Sequence, residues 1–387
     1  MKVLYIIHSC TMGGATISFF NMIKGLKKTG INVSVVYPLE KDISIINELK
    51  ELKCKCIGVH KVPCSWVTFS GIKGKIIFPL TLSYLLLSKI RFYFQLKKII
   101  RSELPDIIHT NTGVVHEGAL LANKLHIPHV WHLREYQLKD FKGHPLPTMN
   151  NFKKKLRNSY TVCITKDIQK YFELEKSEKS SVIYNPAMSE NFALNNRGEV
   201  LTNPYFLVAN RISKEKGIED TICAFSEFLK YSSDYKLKIC GFGEKSYIHY
   251  LMNLCKNKKI ENSVEFLGYA DTTEIYNMMT NSKGLIVSSY NEGFGRMTAE
   301  ANMLGVPVIG RSSGGTKEIL EQTNGGFLFN DFAQLVSSMK KVSIMSELEI
   351  KKKMEPAQKK AISLFSEEQH CTKILNLYKE IKFCQTN

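Results

Sequence analysis

The chain has 387 residues, 44% of them hydrophobic and 23% charged, and a formal net charge of +17. That length is long for a single core and comfortable for two domains, and the composition is that of an ordinary soluble globular protein. Ten cysteines show neither metal-like nor disulfide-like spacing, which sets aside a disulfide scaffold and leaves free thiols in a reducing cytoplasm as the expected state. The charge is uneven. Residues 1–195 hold 28 Lys+Arg against 14 Asp+Glu, whereas residues 196–387 hold 25 against 22. Such asymmetry points to an anionic partner for the first half. No recognition motif or aromatic-basic platform suggests nucleic acid, so an anionic membrane surface is the better candidate.

In chain order, Met1-Lys-Val-Leu-Tyr-Ile-Ile-His8 is too short for a signal peptide and reads as a first strand. Further apolar strand candidates follow at Val33–Tyr37, Lys55–Val59, Ile107–Thr110, His129–Leu133, Thr161–Thr165 and Ser181–Tyr184. Helical stretches lie between most of them, a pattern that implies a parallel sheet with crossover helices. Residues 64–101 stand apart. Ile76 to Leu87 is apolar but too short to span a bilayer. Lys89, Arg91, Lys97, Lys98 and Arg101 then alternate with Phe92, Tyr93, Phe94, Leu96, Ile99 and Ile100. Basic residues among aromatics on an amphipathic helix suit a membrane interface.

A polar segment near Asn185–Pro204 separates a second series of strands. These are Tyr205–Ala209, Leu237–Gly241, Val264–Gly268, Leu285–Ser289, Val308–Gly310 and Gly326–Phe329. The expected organisation is therefore a first domain over 1–190, a second over 200–364, and a terminal helix over 365–387. Ile374, Leu375, Leu377, Tyr378 and Ile381 lie on one face of that helix.

Several loops follow strands and open helices, which is where open α/β sheets bind ligands. Ser9-Cys-Thr-Met-Gly-Gly14 is the first of them. It lacks the Gly-x-Gly-x-x-Gly spacing of dinucleotide enzymes, so NAD and FAD are set aside. Val130-Trp-His-Leu-Arg-Glu135 ends another strand with His132. A neutral imidazole there can donate to a hydroxyl. Arg134 and Glu135 read as a structural pair, and His109, Asn111 and His116 as residues of a loop facing an acceptor. In the second half, Val208-Ala-Asn-Arg-Ile-Ser-Lys-Glu-Lys-Gly217 supplies Arg211 and Lys216, and Ile239-Cys-Gly-Phe-Gly243 supplies the pair Gly241 and Gly243. Asn291-Glu-Gly-Phe-Gly-Arg-Met-Thr-Ala-Glu300 places Glu292 and Glu300 on either side of Gly293, Phe294 and Gly295. Glycines let the backbone approach a ligand, amides at a helix start face an anion, and Glu300 is expected in the first helical turn. No Asp-x-Asp pattern suited to a metal-bound nucleotide appears.

Glu-Gly-Phe-Gly-Arg-Met-Thr-Ala-Glu-Ala, then Gly-Val-Pro-Val-Ile-Gly, then Ser-Gly-Gly-Thr-Lys-Glu-Ile resembles the signature of the retaining glycosyltransferases of family 4. The resemblance is close over residues 200–330 and looser before them. It implies an α/β chain of GT-B architecture, two Rossmann-like doubly wound domains facing across a cleft. It further implies a UDP- or GDP-sugar donor, a glycan or lipid-linked acceptor, no cofactor and no metal. By resemblance, Glu300 binds ribose, Glu292 binds sugar hydroxyls, and Arg211 and Lys216 stabilise the departing diphosphate. Gly293, Phe294, Gly295, Gly241 and Gly243 bring backbone close to the donor, Gly13 and Gly14 line donor phosphate and acceptor, and His132 lies near the donor sugar. Cell-surface polysaccharide, capsule or lipopolysaccharide synthesis is the family's usual setting, on the inner face of the cell membrane. Rival readings are a nucleotide-sugar epimerase or phosphorylase on a similar scaffold, and a non-catalytic membrane adaptor.

Overall fold

The computed structural model describes the chain apart from Met12, residues 68–70, 139–143, 197–203 and Asn387, and gives the backbone alone for 71–79 and 385–386. Met12 of the first glycine loop and part of the polar segment between the strand series therefore lie outside the described residues. The chain divides into two compact units, Met1–Pro186 together with Glu367–Asn387, and Ala187–Ser366.

The first unit carries β1 (Lys2–Ile6), β2 (Asn32–Pro38), β3 (Lys55–Val59), β4 (Trp66–Val67), β5 (Ile107–Thr110), β6 (His129–Leu133), β7 (His144–Pro145), β8 (Tyr160–Cys163) and β9 (Ser180–Val182). Seven of these form one sheet in the order β3-β2-β1-β5-β6-β8-β9, every pairing parallel. The remaining two, β4 and β7, pair antiparallel; two residues are too few for a sequence pattern to show. The second unit carries β10 (Tyr205–Ala209), β11 (Lys236–Cys240), β12 (Val264–Gly268), β13 (Gly284–Val287), β14 (Val308–Arg311) and β15 (Gly326–Phe329). They form a second parallel sheet in the order β12-β11-β10-β13-β14-β15.

Both sheets follow from the apolar runs. Strands β5, β6, β10 and β13 are buried along their whole length, as expected where helices cover both faces of a parallel sheet. The strand order reverses between β1 and β5 in the first sheet and between β10 and β13 in the second. Each reversal is a switch point, where adjacent loops part and leave a crevice beyond the strand ends. Strand β13 stops at Val287, short of the Ser289 that its sequence suggests, where its pairing with β14 ends; the Ser288 hydroxyl hydrogen-bonds the carbonyl of Lys216 at 2.9 Å.

Gly71–Glu103 is one helix of 33 residues. Phe92, Leu96 and Ile100 are its buried face, one helical turn apart. Leu80, Tyr84, Leu86, Leu87, Ile90 and Phe94 are exposed. Lys89 departs from the sequence reading: it turns inward to Ser65 and pairs with Glu117 at 2.7 Å. Among the described residues no helix is long and apolar enough to cross a membrane. The terminal helix Glu367–Thr386 belongs to the first unit. It buries Ile374, Leu377, Tyr378 and Ile381, the i, i+3, i+4, i+7 stripe of an amphipathic helix, against Gly14–Lys28.

Candidate functional site at the switch point of the second sheet

In the second unit, Arg211, Lys216, Glu292 and the helix that holds Glu300 all follow the carboxyl ends of β10 and β13, the two strands that flank the switch point. Lys216 Nζ pairs with Glu292 Oε1 at 2.7 Å, and each side chain retains 16% exposure. The approach is set by backbone. Gly217 has φ 62°, and a Cβ there would meet the Ser288 carbonyl oxygen at 2.3 Å. Ser288 hydrogen-bonds the Lys216 carbonyl and itself accepts from the Thr221 hydroxyl at 2.8 Å. The lysine loop is thus tied to the end of β13. Arg211 is more open, 58% exposed and paired with Glu215 at 2.5 Å. A surface pair of this kind contributes little stability and exchanges partners readily.

Residues 291–295 lie directly on the Ser313–Thr316 turn. The Gly315 amide donates to the Glu292 carbonyl at 2.8 Å, and a Cβ on Gly315 would meet the Phe294 carbonyl oxygen at 1.9 Å. Phe294 is buried with its ring edge-on to Phe365 at 5.7 Å, so its side chain anchors the loop and only its backbone is available to a ligand. Gly295, at φ 83°, is the N-cap of helix Arg296–Met303 and has no side chain with which to cap it. The amides of a helix start face an anion.

Glu300 is fully buried. It occupies the second turn of this helix rather than the expected first, because the helix begins at Arg296. The terminus therefore has less hold on its charge. Arg296 supplies that hold instead, donating from Nε to Glu300 Oε1 at 2.5 Å. Burial pushes the Glu300 carboxyl above the usual range, against Arg296 and Tyr276, which favour its charged form. Oε2 has no partner at hydrogen-bonding geometry among the described residues. Arg296 was passed over in the sequence, although its i, i+4 spacing from Glu300 is the usual signal of such a pair.

Gly241 and Gly243 have an internal reason to be glycine. A Cβ at Gly241 (φ 146°) would lie 1.8 Å from the Asn210 carbonyl oxygen, and one at Gly243 would lie 2.1 Å from that of Ile212. They let the loop after β11 press on the loop carrying Arg211. Gly13 and Gly14 of the first unit are the opposite case: no described atom lies within 4 Å of a Cβ at either.

His132 of the first unit is wholly buried in β6. Burial and the Arg134 cation hold its pKa well below the ordinary value, so the ring is neutral. Arg134 has more partners than its sequence neighbour Glu135, which favours its charged form. It is also buried, and its guanidinium donates to Asn111 (2.8 and 3.0 Å) and Asn185 (2.6 Å), neutral amides that tolerate a desolvated cation. His109 lies in β5 rather than in a loop, bonded to Tyr378 and His132. His116 stacks on Phe152 at 5.1 Å and, with His129 and Lys155, lines a cavity of about 350 Å³. Among the described residues no group of three or more His, Cys, Asp or Glu is placed to hold a metal ion.

Residues 12–187 match the model of glycosyltransferase family 4, and residues 189–361 match that of the glycosyl transferases group 1. The chain belongs to the family 4 glycosyltransferases. An uncharacterized glycosyltransferase of Methanocaldococcus jannaschii is 27% identical over 98% of this chain and 99% of its own. The O-antigen biosynthesis glycosyltransferase WclY of Escherichia coli is 28% identical over 38% of this chain and 42% of its own. The crystal structure of Anabaena HepE in complex with UDP superposes with a TM-score of 0.77 at 19% identity, covering 98% of this chain and 100% of that one. The fold is accordingly GT-B, and the protein is a glycosyltransferase.

Proposed function

We propose that this glycosyltransferase moves a hexose-type sugar from a nucleotide diphosphate donor to a glycan or lipid-linked acceptor, with retention at the anomeric carbon. The observation that carries the reading is the part-exposed Lys216–Glu292 pair beside the helix start at Gly295, at the switch point. A donor can part this pair and use both halves. Lys216 and Arg211 then meet the charge that develops on the diphosphate as the sugar–phosphate bond breaks, which is the electrostatic stabilisation that most lowers such barriers. Glu292, released, accepts from sugar hydroxyls. Glu300 binds the ribose, with Arg296 holding its Oε1. Fixed cations take the part that a metal ion plays in other nucleotide-sugar enzymes. The retaining route is front-face: the acceptor hydroxyl attacks as the diphosphate leaves, and the leaving phosphate takes the proton.

HepE has been crystallised with UDP-glucose, which supports a UDP-sugar as the first donor to test. The WclY relative supports a role in surface glycan synthesis. The exposed apolar residues Leu80, Leu87, Ile90 and Phe94, flanked by exposed Arg91 and Lys98, suit docking on the anionic inner face of the cell membrane beside a lipid-linked acceptor. A thermal-shift screen over UDP-, GDP- and ADP-sugars identifies the donor, since ligand at 100 times its Kd adds about 2.7 kcal/mol of stability. With that donor, Lys216→Ala should lower turnover by roughly 10²- to 10³-fold. Near-wild-type turnover in a folded Lys216→Ala protein would remove the reading.

A further inference from the structure

The first unit contains a buried chain of hydrogen bonds whose direction follows by elimination. The Arg134 guanidinium has donors only. Its Nη2 lies 3.3 Å from His132 Nδ1, so that nitrogen accepts and carries no hydrogen. His132 is neutral, and its one ring hydrogen must therefore be on Nε2. His109 Nε2 lies 3.2 Å from the same His132 Nδ1, and it donates to that acceptor. His109 is neutral too, buried near the Arg134 cation. Its Nδ1 is then bare and accepts from the Tyr378 hydroxyl at 2.6 Å. Tyr378, its hydrogen committed, accepts from the Tyr5 hydroxyl at 2.8 Å. Every link points the same way, from Tyr5 through Tyr378 and His109 to His132.

The chain ends on an unmet donor. His132 Nε2 has no hydrogen-bond partner among the described residues, and the ring is 0% exposed. A buried polar group left without a partner is costly, and such exceptions call for an explanation. Here four surrounding groups, two of them on other strands and one on the terminal helix, act together to keep that hydrogen on Nε2.

We infer that Arg134, His109 and Tyr378 are positioning residues that hold His132 as an Nε2–H donor to a hydroxyl oxygen of the sugar substrate. His132 held in this form cannot serve as a general base, because the nitrogen facing its ligand already carries the hydrogen. The inference rests on the reading of the protein as a transferase of a nucleotide-linked sugar and on the place near that sugar which the resemblance implies for His132, but the direction of the chain does not depend on either.

Long-range proton–nitrogen NMR on protein labelled with nitrogen-15 histidine reads which ring nitrogen is protonated. His132 is assigned by the signals lost in His132→Gln. In the ligand-free wild type, His132 and His109 should both show a protonated Nε2 and a bare Nδ1. In Tyr378→Phe, His109 loses its donor and begins to exchange tautomers, so the His132 Nδ1 resonance should shift. A residue that only fills space at position 378 would leave it in place. Hydrogen on His132 Nδ1, or a charged His132 ring, in the wild type would overturn the chain whatever the variant does. An unmoved His132 signal in folded Tyr378→Phe would remove Tyr378 from it. Saturation with whichever of the UDP-, GDP- and ADP-sugars raises the melting temperature should move the His132 Nε2 resonance. No movement there would overturn the hydroxyl contact while leaving the direction of the chain standing.

Discussion

The two units treat polar groups at their strand ends in opposite ways. In the second, Lys216, Glu292, Arg211 and Glu215 form ion pairs that remain partly or largely exposed. In the first, His109, His132, Arg134, Asn111 and Asn185 are all buried and bonded to one another. Open pairs can exchange a partner for a ligand at small cost. A buried network cannot, because any group left behind is desolvated and unmet. The second unit thus leaves its charges open to exchange, and the first fixes the directions of its buried donors.

The largest consequence is acid sensitivity. The first unit buries His109, His116, His129, His132 and His370, while residues 187–366 contain one histidine, His249, which is exposed. Burial holds His116, His129 and His370 down to about 3. An unfolded imidazole titrates near about 6.5, so below that pH the unfolded chain binds protons that the folded unit refuses. Stability is complete above about pH 6.5 and is lost as pH falls toward 3. Each of these three histidines should cost roughly 2 kcal/mol at pH 5. Both tryptophans, Trp66 and Trp131, lie in the first unit, so their fluorescence reports that unit alone. On acidification it should change before hydrogen exchange opens β10 and β13. Opening of the second sheet at the same or a higher pH would break the comparison.

A smaller effect tests the exception, Glu300, which among the described residues of the second unit is the buried carboxylate. Glu300→Leu strands Arg296, whose side chain is 17% exposed, and should cost about 3 kcal/mol in urea unfolding followed by circular dichroism. Glu300→Gln keeps an acceptor for Arg296 and should cost less than half as much, while weakening nucleotide binding. Equal stability losses for the two variants would show that Glu300 acts by volume and not by its bond to Arg296.

The smallest effect concerns the excess charge of the first half. Neutralising Arg91 and Lys98 together should remove about 2 kcal/mol of attraction to phosphatidylserine vesicles, or roughly thirty-fold in affinity. Flotation of the double variant equal to wild type would separate the exposed helix from any membrane role.

Much of this was legible from residues alone. Parallel strands buried on both faces must be continuous apolar runs, and β5, β6 and β10 were readable to the residue, as were the edge strands β3, β12 and β15. Arg211, Lys216, Glu292 and the glycines beside them stand in loops after such strands, where ligands gather. What escaped was pairing. Lys89 reads as one of a row of surface lysines until Glu117 is seen beneath it. Arg134 reads as the partner of its neighbour Glu135, and only the fold adds Asn111 and Asn185 around it. Gly241 and Gly243 read as ligand glycines, and only the fold shows that the backbone of Asn210 and Ile212 also requires glycine there.

Local order along the chain determined the two strand series, the apolar stripe of the terminal helix and the loops that carry the charged residues, since periodicity and turn chemistry act over a few neighbouring positions. Tertiary structure alone decided which side chains meet. Tyr378 reaches His109 across 269 positions, and no spacing rule spans that distance. The hydrogen on His132 is settled only where strand, loop and terminal helix bring Arg134, His109 and Tyr378 together, because each donor or acceptor is defined by the group it faces.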